Sequence, residues 1–492
     1  MKKILVVLLS LSAFYTNAQK NILLEQSFWK TNPDVATVKA EVEKGADPAA
    51  LNSNAFDAVV LAINNHAPDE SVKYLLTLKG NEVDKITHDG RIYLHWAANA
   101  GNPVLMEYLL DKGSKWDVED SHGNTPVIFA AGGGQKNTEV YEVLIRKGVD
   151  IKAAANHDGA NVLLLGVALD KDLVLTNYFL SKGVNINSTD KNGNTAFNYA
   201  ARSGDMNLLK ALQAKGVKFT DNALLMAAQG NRGNVPGTSL ETFQYLESLK
   251  IKPTAVNKNG ENALHLLVRK ASQAPVISYF LSKGVDVNQA DNDGNTPFLN
   301  AASYNRDTAT LNLLLPSVKN LRQVNKKGAS ALALAVNYNS PEVVDYLVKK
   351  GVDIKTVDAA GNNLAYYLIQ SYNPGKIAEF DAKMKELTAA GVNFTAPQQD
   401  GNSLYLVAIA KNDINLLKKL EGLKIDVNAK NKEGMTVLHK AALTAKDDVI
   451  LKYLLSIGAQ KNITNDLKET VYDLAAENEY LQKNKVAIDF LK

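Results

Sequence analysis

One pattern recurs along this chain about every 33 residues, and it constrains the fold more than any other feature. Each copy opens on a turn glycine and continues through two apolar runs, and six of the ten copies marked by a turn glycine close on a Lys-Gly pair. The turn glycines are Gly90, Gly123, Gly159, Gly193, Gly260, Gly294, Gly328, Gly361, Gly401 and Gly434. The glycines of the Lys-Gly pairs are Gly113, Gly148, Gly183, Gly216, Gly284 and Gly351. Two markers that keep one period predict stacked repeats, because one copy of this size cannot bury both faces of its helices.

Each repeat is predicted to form two helices followed by a turn. In the run from Gly123 to Pro126, Thr125 is predicted as an N-cap and the proline as the first helical residue, where its missing N–H costs nothing. Paired small residues such as Ala130-Ala131 predict close approach between neighbouring first helices. The second helix is expected to end at Lys-Gly. The segment from Val285 to Gly294 predicts a short β-hairpin between repeats.

The repeats resemble ankyrin repeats, whose signature Thr-Pro-Leu-His-x-Ala is echoed by residues 93–98, 263–265 and 437–442. The resemblance, to the exported bacterial type of this family, covers residues 54–492 and extends to residues 21–53. It implies an all-α solenoid with short β-hairpin turns and about 12–14 stacked helix-loop-helix repeats. Two departures leave local geometry open. The repeat near Thr220 lacks its turn glycine, and many repeats replace the signature histidine.

The expected organisation has four parts. They are a signal peptide at 1–18, an N-terminal capping repeat at 19–53, the repeat array at 54–464 and a C-terminal capping repeat at 465–492. The signal peptide is predicted from Lys2 and Lys3 before a short apolar run and from the small residues Thr16 and Ala18, with cleavage before Gln19. An uncleaved anchor is disfavoured because the apolar run is well short of the roughly 20 residues of a spanning helix.

The absence of cysteine and the near-neutral charge narrow the function classes. Without cysteine the chain has no lipid-modified cysteine, no disulfide and no thiolate metal site. The formal charge of +3 falls to +1 once Lys2 and Lys3 leave with the signal, so the charge pattern of a nucleic-acid or anionic-lipid binder is missing. We expect a periplasmic or secreted monomer with a protein partner, no nucleic-acid partner and no membrane insertion after signal cleavage.

The seven histidines are dispersed along the repeats. His95, His265 and His439 lie at the signature position, His88, His122 and His157 on hairpin tips, and His66 is off-pattern. At the signature position the resemblance implies hydrogen bonds that tie neighbouring turns together. Because catalysis and metal binding need converging groups, we predict no catalytic residue, no metal site, no cofactor and no enzymatic activity.

Two further patterns suggest chemistry at first sight. The run from Gly132 to Lys136 is glycine-rich like a phosphate loop, but it follows a helix rather than a strand and lacks the Gly-Lys-Ser/Thr order. Aspartates recur at one position near the hairpin, at Asp150, Asp286, Asp353 and Asp426. Recurrence at a turn indicates capping of the backbone rather than a general acid.

The first helices carry a stripe of aromatic residues with leucines between them. Its members are Trp96, Phe129, Tyr199 and Tyr367, with Leu165, Leu266 and Leu334. The stripe could line a binding groove, but packing between adjacent repeats is the favoured interpretation, because such positions form the core between repeats in the family.

Variable residues on the hairpin tips are the candidate protein-binding positions. They are Ser121, His122, Asn156, His157, Asp158, Lys191, Asn192, Lys258, Asn259, Lys326, Lys327, Gln399, Lys432 and Glu433. Such variety is compatible both with specificity and with drift on solvated turns. Extra residues at 132–138, 229–239 and 371–376 lengthen three loops, which either add to recognition or are merely tolerated.

The sequence therefore predicts a non-catalytic protein-binding scaffold or accessory factor that acts outside the cytoplasm through a concave face and hairpin tips. The resemblance to exported bacterial ankyrin proteins adds one specific version, support of a stress-defence enzyme. The alternative is a hydrolytic enzyme with its site in the irregular repeats 220–256 or 371–397.

Overall fold

A computed structural model describes residues 21–230 and 238–492, so the predicted signal peptide lies outside the described residues. The chain divides into two compact units, Met1–Gly233 and Asn234–Lys492. Each unit is a stack of consecutive helix pairs, which confirms the predicted fold class. Among the described residues, none of the helices combines the length and apolar character needed to cross a bilayer.

Within the described part of the first unit, residues 21–230, six helix pairs precede one further helix. The pairs are α1 (Gln26–Trp29) and α2 (Val35–Glu43), α3 (Ala58–Asn64) and α4 (Asp69–Leu76), α5 (Tyr93–Asn99) and α6 (Pro103–Asp111), α7 (Pro126–Gly132) and α8 (Glu139–Arg146), α9 (Val162–Gly166) and α10 (Val174–Ser181), and α11 (Ala196–Ala201) and α12 (Met206–Ala214). The further helix is α13 (Asn222–Gln229). Short 3₁₀ helices lie at Ile22–Leu24, His88–Gly90 and Val167–Leu169.

In residues 238–492 of the second unit, α14 (Leu240–Ser248) is followed by seven pairs. They are α15 (Ala263–Leu267) and α16 (Ala274–Ser282), α17 (Pro297–Tyr304) and α18 (Thr308–Leu314), α19 (Ala331–Tyr338) and α20 (Pro341–Lys349), α21 (Leu364–Gln370) and α22 (Ile377–Ala389), α23 (Leu404–Ala408) and α24 (Ile414–Leu420), α25 (Val437–Thr444) and α26 (Val449–Ser456), and α27 (Val471–Glu477) and α28 (Glu479–Lys483). Short 3₁₀ helices lie at Leu315–Ser317, Pro374–Lys376, Gln399–Gly401, Ile409–Lys411, Glu421–Leu423 and Asp489–Leu491. The pairs agree with the expected 12–14 repeats, whereas the boundaries drawn for the two capping repeats stay predictions.

The first helices begin where the sequence placed their caps. The Thr296 hydroxyl accepts a hydrogen bond from the N–H of Leu299 at 3.3 Å, and Pro297 follows as the first helical residue. Thr125 also occupies the N-cap position before Pro126, but its side chain makes no cap hydrogen bond. Extended backbone at the cap and proline at the first position are therefore sufficient to start α7.

First helices pack against first helices, as α5 does on α7 and α7 on α9 in the first unit, and α17 on α19 in the second. Ala130 and Ala131 are fully buried at such a contact. The rings of Trp96 and Phe129 meet edge-on with centroids 5.5 Å apart. The members of the aromatic stripe are nearly buried, except that Phe129 and Leu165 are half-buried. Packing between repeats is thus the main role of the stripe.

The predicted hairpins are closed turns rather than extended strands. At residues 120–124 the N–H of Asp120 donates to the carbonyl of Asn124 at 2.9 Å, and the Asp120 carboxylate accepts the N–H of His122 at 2.9 Å. In the described residues, strand pairing is reduced to isolated antiparallel bridges such as Ala155–Asn161 and Val256–Asn262. A turn of five residues satisfies its own backbone groups and leaves little chain to pair.

Successive turns are joined by hydrogen bonds between their tips. The N–H of Ser121 donates to the carbonyl of Asp89 at 2.8 Å, and the N–H of Lys191 donates to that of Asp158 at 2.9 Å. In the second unit the N–H of Lys326 donates to the carbonyl of Asp293 at 2.9 Å. These tip bonds fix each turn against the turn before it.

The second helices carry a contact between repeats that sequence analysis missed. The Tyr178 hydroxyl donates to the Glu142 carboxylate at 3.0 Å, and Lys182 pairs with the same carboxylate. Tyr279, Lys283 and Glu247 repeat this arrangement in the second unit, with the lysine 2.7 Å from the carboxylate. The recurring Tyr-x-x-x-Lys spacing is the signal that could have revealed it.

Helix α22 reaches past the neighbouring repeat. The Glu379 carboxylate pairs with the Arg306 guanidinium at 3.2 Å across 73 positions of sequence. One turn later, the Lys383 ammonium donates to the carbonyl of Val336 at 2.9 Å. Lys383 is only 4% exposed, and burial lowers its pKa to about 8. The extra residues 371–376 precede this 13-residue helix and connect it to α21.

Candidate functional site

The predicted tip residues lie on the turns of both units. All are exposed except Asn156, which is half-buried. The Asn156 side-chain oxygen accepts the N–H groups of Asp158 and Ala160 at 3.1 and 2.9 Å, so this side chain holds its own turn. The role of these fourteen positions in binding stays a prediction. Their exposure makes them available to a partner.

Three tip histidines contact the turn that precedes their own. The Nδ1 atom of His88 lies 2.8 Å from the carbonyl oxygen of Asn54. The Nε2 atom of His157 lies 2.7 Å from the Glu119 carboxylate, and Nε2 of His122 lies 3.5 Å from that of Asp89. The imidazoles therefore link adjacent turns rather than collecting in one centre.

The recurring aspartates cap the backbone, as their recurrence predicted. The carboxylate of Asp150 accepts the N–H of Lys152 at 3.0 Å, and that of Asp286 accepts the N–H of Asn288 at 2.9 Å. This hydrogen bond holds the pKa of Asp286 below its ordinary value. Each carboxylate thus stabilises a turn and acts as a structural acceptor.

Two of the signature histidines, His95 and His265, bridge repeats from the buried side of the first helix. His265 accepts the N–H of Asn262 at Nδ1 (3.1 Å), and its Nε2 lies 3.0 Å from the carbonyl oxygen of Asn295 in the next repeat. Burial lowers the pKa of His265. A neutral ring with both nitrogens occupied has a structural role, as the resemblance implied.

A groove of about 990 Å³ runs across the first unit. Its lining combines the tip residues His122, Asn156 and Asp158 with the helix residues Phe129, Leu165, Leu169 and Tyr199, and includes Arg91 and Arg202. Gly132, the last residue of α7, and Gly133 also line it. Lys136, the last residue of the glycine-rich run, pairs with Asp172 at 2.7 Å. Two glycines of the glycine-rich run thus line a groove.

A second groove, of about 680 Å³, lies in the second unit. Tyr338, Tyr366 and Tyr367 line it together with Lys327, Asp358 and Gln399. The Tyr367 hydroxyl donates to Asp358 at 2.8 Å. Tyr338 is 59% exposed and its ring stacks on that of Tyr304, with centroids 6.4 Å apart and planes at 24°. Tip residues and first-helix residues thus share one surface in this unit as well.

The alternative hydrolytic site was placed in residues 220–256 or 371–397. Part of 220–256, residues 231–237, lies outside the described residues. In 371–397 the buried amine of Lys383 is bound to a backbone carbonyl, and the Tyr372 hydroxyl donates to Asp413 at 3.0 Å. Within 21–230 and 238–492, no three His, Cys, Asp or Glu side chains are placed to share a metal ion.

Sequence models of ankyrin repeats match more than half of the chain. A three-copy model matches residues 58–155, 236–319, 264–358 and 298–380, a many-copy model matches 167–213, and a single-repeat model matches 433–466. The matches fall in both units.

Curated relatives share this repeated region with otherwise longer proteins. Alpha-latroinsectotoxin-Lt1a of Latrodectus tredecimguttatus is 26% identical over 63% of this chain and 22% of the toxin. Transient receptor potential cation channel subfamily A member 1 of Homo sapiens is 25% identical over 92% of this chain and 38% of the channel. Phosphocholine transferase AnkX of Legionella pneumophila is 26% identical over 26% of this chain and 13% of the transferase. The chain spans well under half the length of each.

Proposed function

This chain belongs to the ankyrin-repeat family, and from that premise we propose that it is a non-catalytic protein-binding scaffold or accessory factor acting outside the cytoplasm. The observation that carries the proposal is the groove of the first unit, where exposed tip residues and the floor of the first helices line one surface. Variable turns beside a rigid floor suit recognition, because the turns supply specificity and the helices keep them in place.

The grooves favour binding over catalysis. Leu169 and Tyr338, which line the two grooves, are 45% and 59% exposed, and large apolar side chains on an open surface are typical of protein contacts. The transferase named above aligns over 13% of its own length, so its activity is not carried over to this chain. The hydrolytic alternative gains no support from Lys383, whose amine is bound to a carbonyl and closed to solvent.

Site-specific photo-crosslinking tests the binding role. The photoreactive residue p-benzoylphenylalanine replaces Leu169 in the groove, and in a control it replaces Val104 on α6, which is 59% exposed and outside the groove. On illumination of intact cells, we expect a discrete protein adduct from the Leu169 position and none from the Val104 position. Identical adducts from both positions, or none from Leu169, would contradict the proposal.

Export is a separate part of the proposal and has its own test. Lys2, Lys3 and the apolar run after them support a cleaved signal, with Gln19 as the first residue of the mature chain. Cell fractionation followed by mass spectrometry of the N-terminal peptide should find Gln19 at the N-terminus in the periplasm or medium. An intact Met1 N-terminus in the cytoplasm would refute it.

Support of a stress-defence enzyme is the most specific version, and it rests on the resemblance to exported bacterial ankyrin proteins. Deleting the gene should lower the peroxide-degrading activity of the cell envelope, and the wild-type gene should restore it. If the groove binds the enzyme, a gene that encodes the Leu169→Asp variant should restore less peroxide-degrading activity than the wild-type gene. Unchanged peroxide degradation in the deletion strain would exclude this version without affecting the binding proposal.

A further inference from the structure

We propose that the groove of the second unit binds a neutral oligosaccharide. This inference goes beyond the proposed protein-binding function, which depends on the groove of the first unit. It begins from the exposed tyrosines at the second groove and from the polar side chains that line the groove with them.

Two exposed tyrosine rings lie side by side at the groove. Tyr304 ends α17 and Tyr338 ends α19, and these residues are 57% and 59% exposed. Their planes are within 24° of parallel and their centres are 6.4 Å apart. Rings in direct face-to-face contact would be only about 4 Å apart, so these two are offset and part of each face stays uncovered. The Arg269 guanidinium lies 5.8 Å from the ring centre of Tyr304, so the more open ring is that of Tyr338, which lines the groove.

Three amide side chains line the groove together with Tyr338. They belong to Asn337 and Gln370, which are half-buried, and to Gln399, which is exposed on its turn. Within the part of the second unit that the structure describes, these amide groups make no hydrogen bond to the rest of the chain. An amide both donates and accepts hydrogen bonds, as a hydroxyl group does. The groove therefore offers matched partners to a ligand rich in hydroxyl groups.

One wall of the groove is held in place by its own hydrogen bonds. The Tyr367 hydroxyl donates to the Asp358 carboxylate at 2.8 Å, and the Asn362 amide donates to it at 3.1 Å. The same carboxylate accepts the N–H groups of Ala360 and Asn362 at 2.9 and 2.8 Å. A preformed wall loses little conformational freedom when a ligand binds, so a few modest contacts are enough to hold a small ligand.

The lining distinguishes this groove from the groove of the first unit. The first groove includes the aliphatic side chains of Ile128, Leu165 and Leu169. In the second groove, the apolar part of the described lining consists of tyrosine rings and the methyl groups of Ala359 and Ala360. The core of a protein interface is apolar, and each polar group buried there must find a partner. The second groove thus suits a hydroxyl-rich ligand better than an apolar protein side chain.

The charges of the groove indicate a neutral ligand. Lys327 and Asp358 have opposite charges and are the charged residues of the described lining, so no net charge attracts a nucleic acid or a charged peptide. A neutral sugar ring has an apolar C–H face that covers an aromatic ring and a rim of hydroxyl groups that bond to amides. The groove volume of about 680 Å³ lies in the range of ligand sites in proteins, which is about 300–1,000 Å³, and a short oligosaccharide fits this space.

An array of defined neutral and acidic oligosaccharides, incubated with the purified protein, tests the proposal. We expect neutral oligosaccharides to bind, and titration calorimetry with the best of them should give an affinity that changes less than about twofold between about 0.05 and 0.5 M NaCl. Tyr338→Ala removes the stacking ring and should weaken binding about tenfold or more, whereas Tyr338→Phe keeps the ring and should weaken it less than about threefold. Gln399→Ala removes one amide from an exposed turn and should weaken binding about threefold or more.

The matched control removes an exposed tyrosine elsewhere in the second unit. Tyr480 on α28 is 58% exposed, and Tyr480→Ala should leave the affinity within about twofold. Phage-displayed random dodecapeptides, selected on the same protein, test a peptide as the occupant instead. An array without a bound oligosaccharide, equal affinities of Tyr338→Ala and the wild type, or a dependence on Tyr338 that only peptides show would overturn the proposal. These results leave the scaffold function standing, because the crosslinks at Leu169 test that function separately.

Discussion

The Nε2 atom of His95 lies 3.0 Å from the carbonyl oxygen of Asn124 in the next repeat. Its Nδ1 atom accepts the N–H of Ile92 at 3.3 Å, so one neutral ring joins two repeats. The ring has no exposed surface, and burial lowers the pKa of His95 from its ordinary 6.5 to about 4.

Acid is expected to destabilise the first unit through this ring. Because the folded pKa is the lower one, the unfolded chain binds more protons between about pH 4 and 6.5, and the unfolding free energy falls as the pH falls through that window. The expected loss is about 1–3 kcal/mol, measured by urea denaturation at pH 7 and pH 4.5. His95→Gln should flatten this dependence. His66→Asn, a change at an exposed histidine, should leave the dependence unchanged. If the unfolding free energy varied equally with pH in both variants, His95 would not be its cause.

Lys383 predicts a pH effect in the alkaline range. Its folded pKa of about 8 lies below its ordinary 10.5, so the unfolded chain binds more protons between these values and stability rises with pH there. Lys383→Met should raise the unfolding free energy at pH 7 by about 1–3 kcal/mol and remove the rise. Lys385→Met, at an exposed position of the same helix, is the control. If the unfolding free energy of Lys383→Met still rose with pH in this range, a group other than Lys383 would be responsible.

Substitutions at two turn glycines distinguish the energetic cost of a left-handed backbone from the cost of a steric clash between turns. Gly193 and Gly328 have φ of 74° and 76°, but only at Gly328 would a Cβ atom meet a backbone atom, the Ala359 nitrogen at 2.4 Å. Gly193→Ala should lower the unfolding free energy by about 1 kcal/mol, the penalty of the left-handed backbone. Gly328→Ala should cost about 2–4 kcal/mol, because two turns must also move apart. Equal losses in urea denaturation would mean that the tips are not in firm contact.

Alanine at one of the two groove glycines, Gly132, is expected to stabilise the protein rather than destabilise it. Gly132→Ala should raise the unfolding free energy by about 0.5–1 kcal/mol, because alanine is the better helix former and meets no obstacle. Gly133→Ala should gain less or lose stability, because its Cβ would lie 2.0 Å from the side-chain oxygen of Asn99, which must turn away. Thermal melting of the two variants side by side measures the difference. A destabilised Gly132→Ala would show that packing requires this glycine.

The local part of the fold could be predicted because its causes lie within one repeat. Thr296, Pro297 and the recurring aspartates act on neighbouring backbone atoms, so their spacing alone indicates helix starts and turns. The bridges that His95 and His265 make to the next repeat agree with what the family resemblance implied for the signature position. The hairpins proved shorter than expected, since five residues close each turn before strands can extend.

The candidate site was less predictable because it depends on which residues share a groove and on distant contacts. The glycine-rich run from Gly132 to Lys136 gives no sign in the sequence that Gly132 and Gly133 line a groove together with Leu169. The Arg306–Glu379 pair joins residues 73 positions apart and exists only because α22 reaches past its neighbour. Neither feature leaves a periodic signal in the sequence.

The tip bonds determine how the surface formed by the successive turns can be lengthened. Each bond runs from a backbone N–H to the carbonyl of the preceding turn, as in Ser121 to Asp89, and involves no particular side chain. A gene duplication that inserts one whole copy would therefore recreate the same bond at its two new joints, whatever residues occupy the tips. Evolution can lengthen the surface by whole copies and then alter each tip independently.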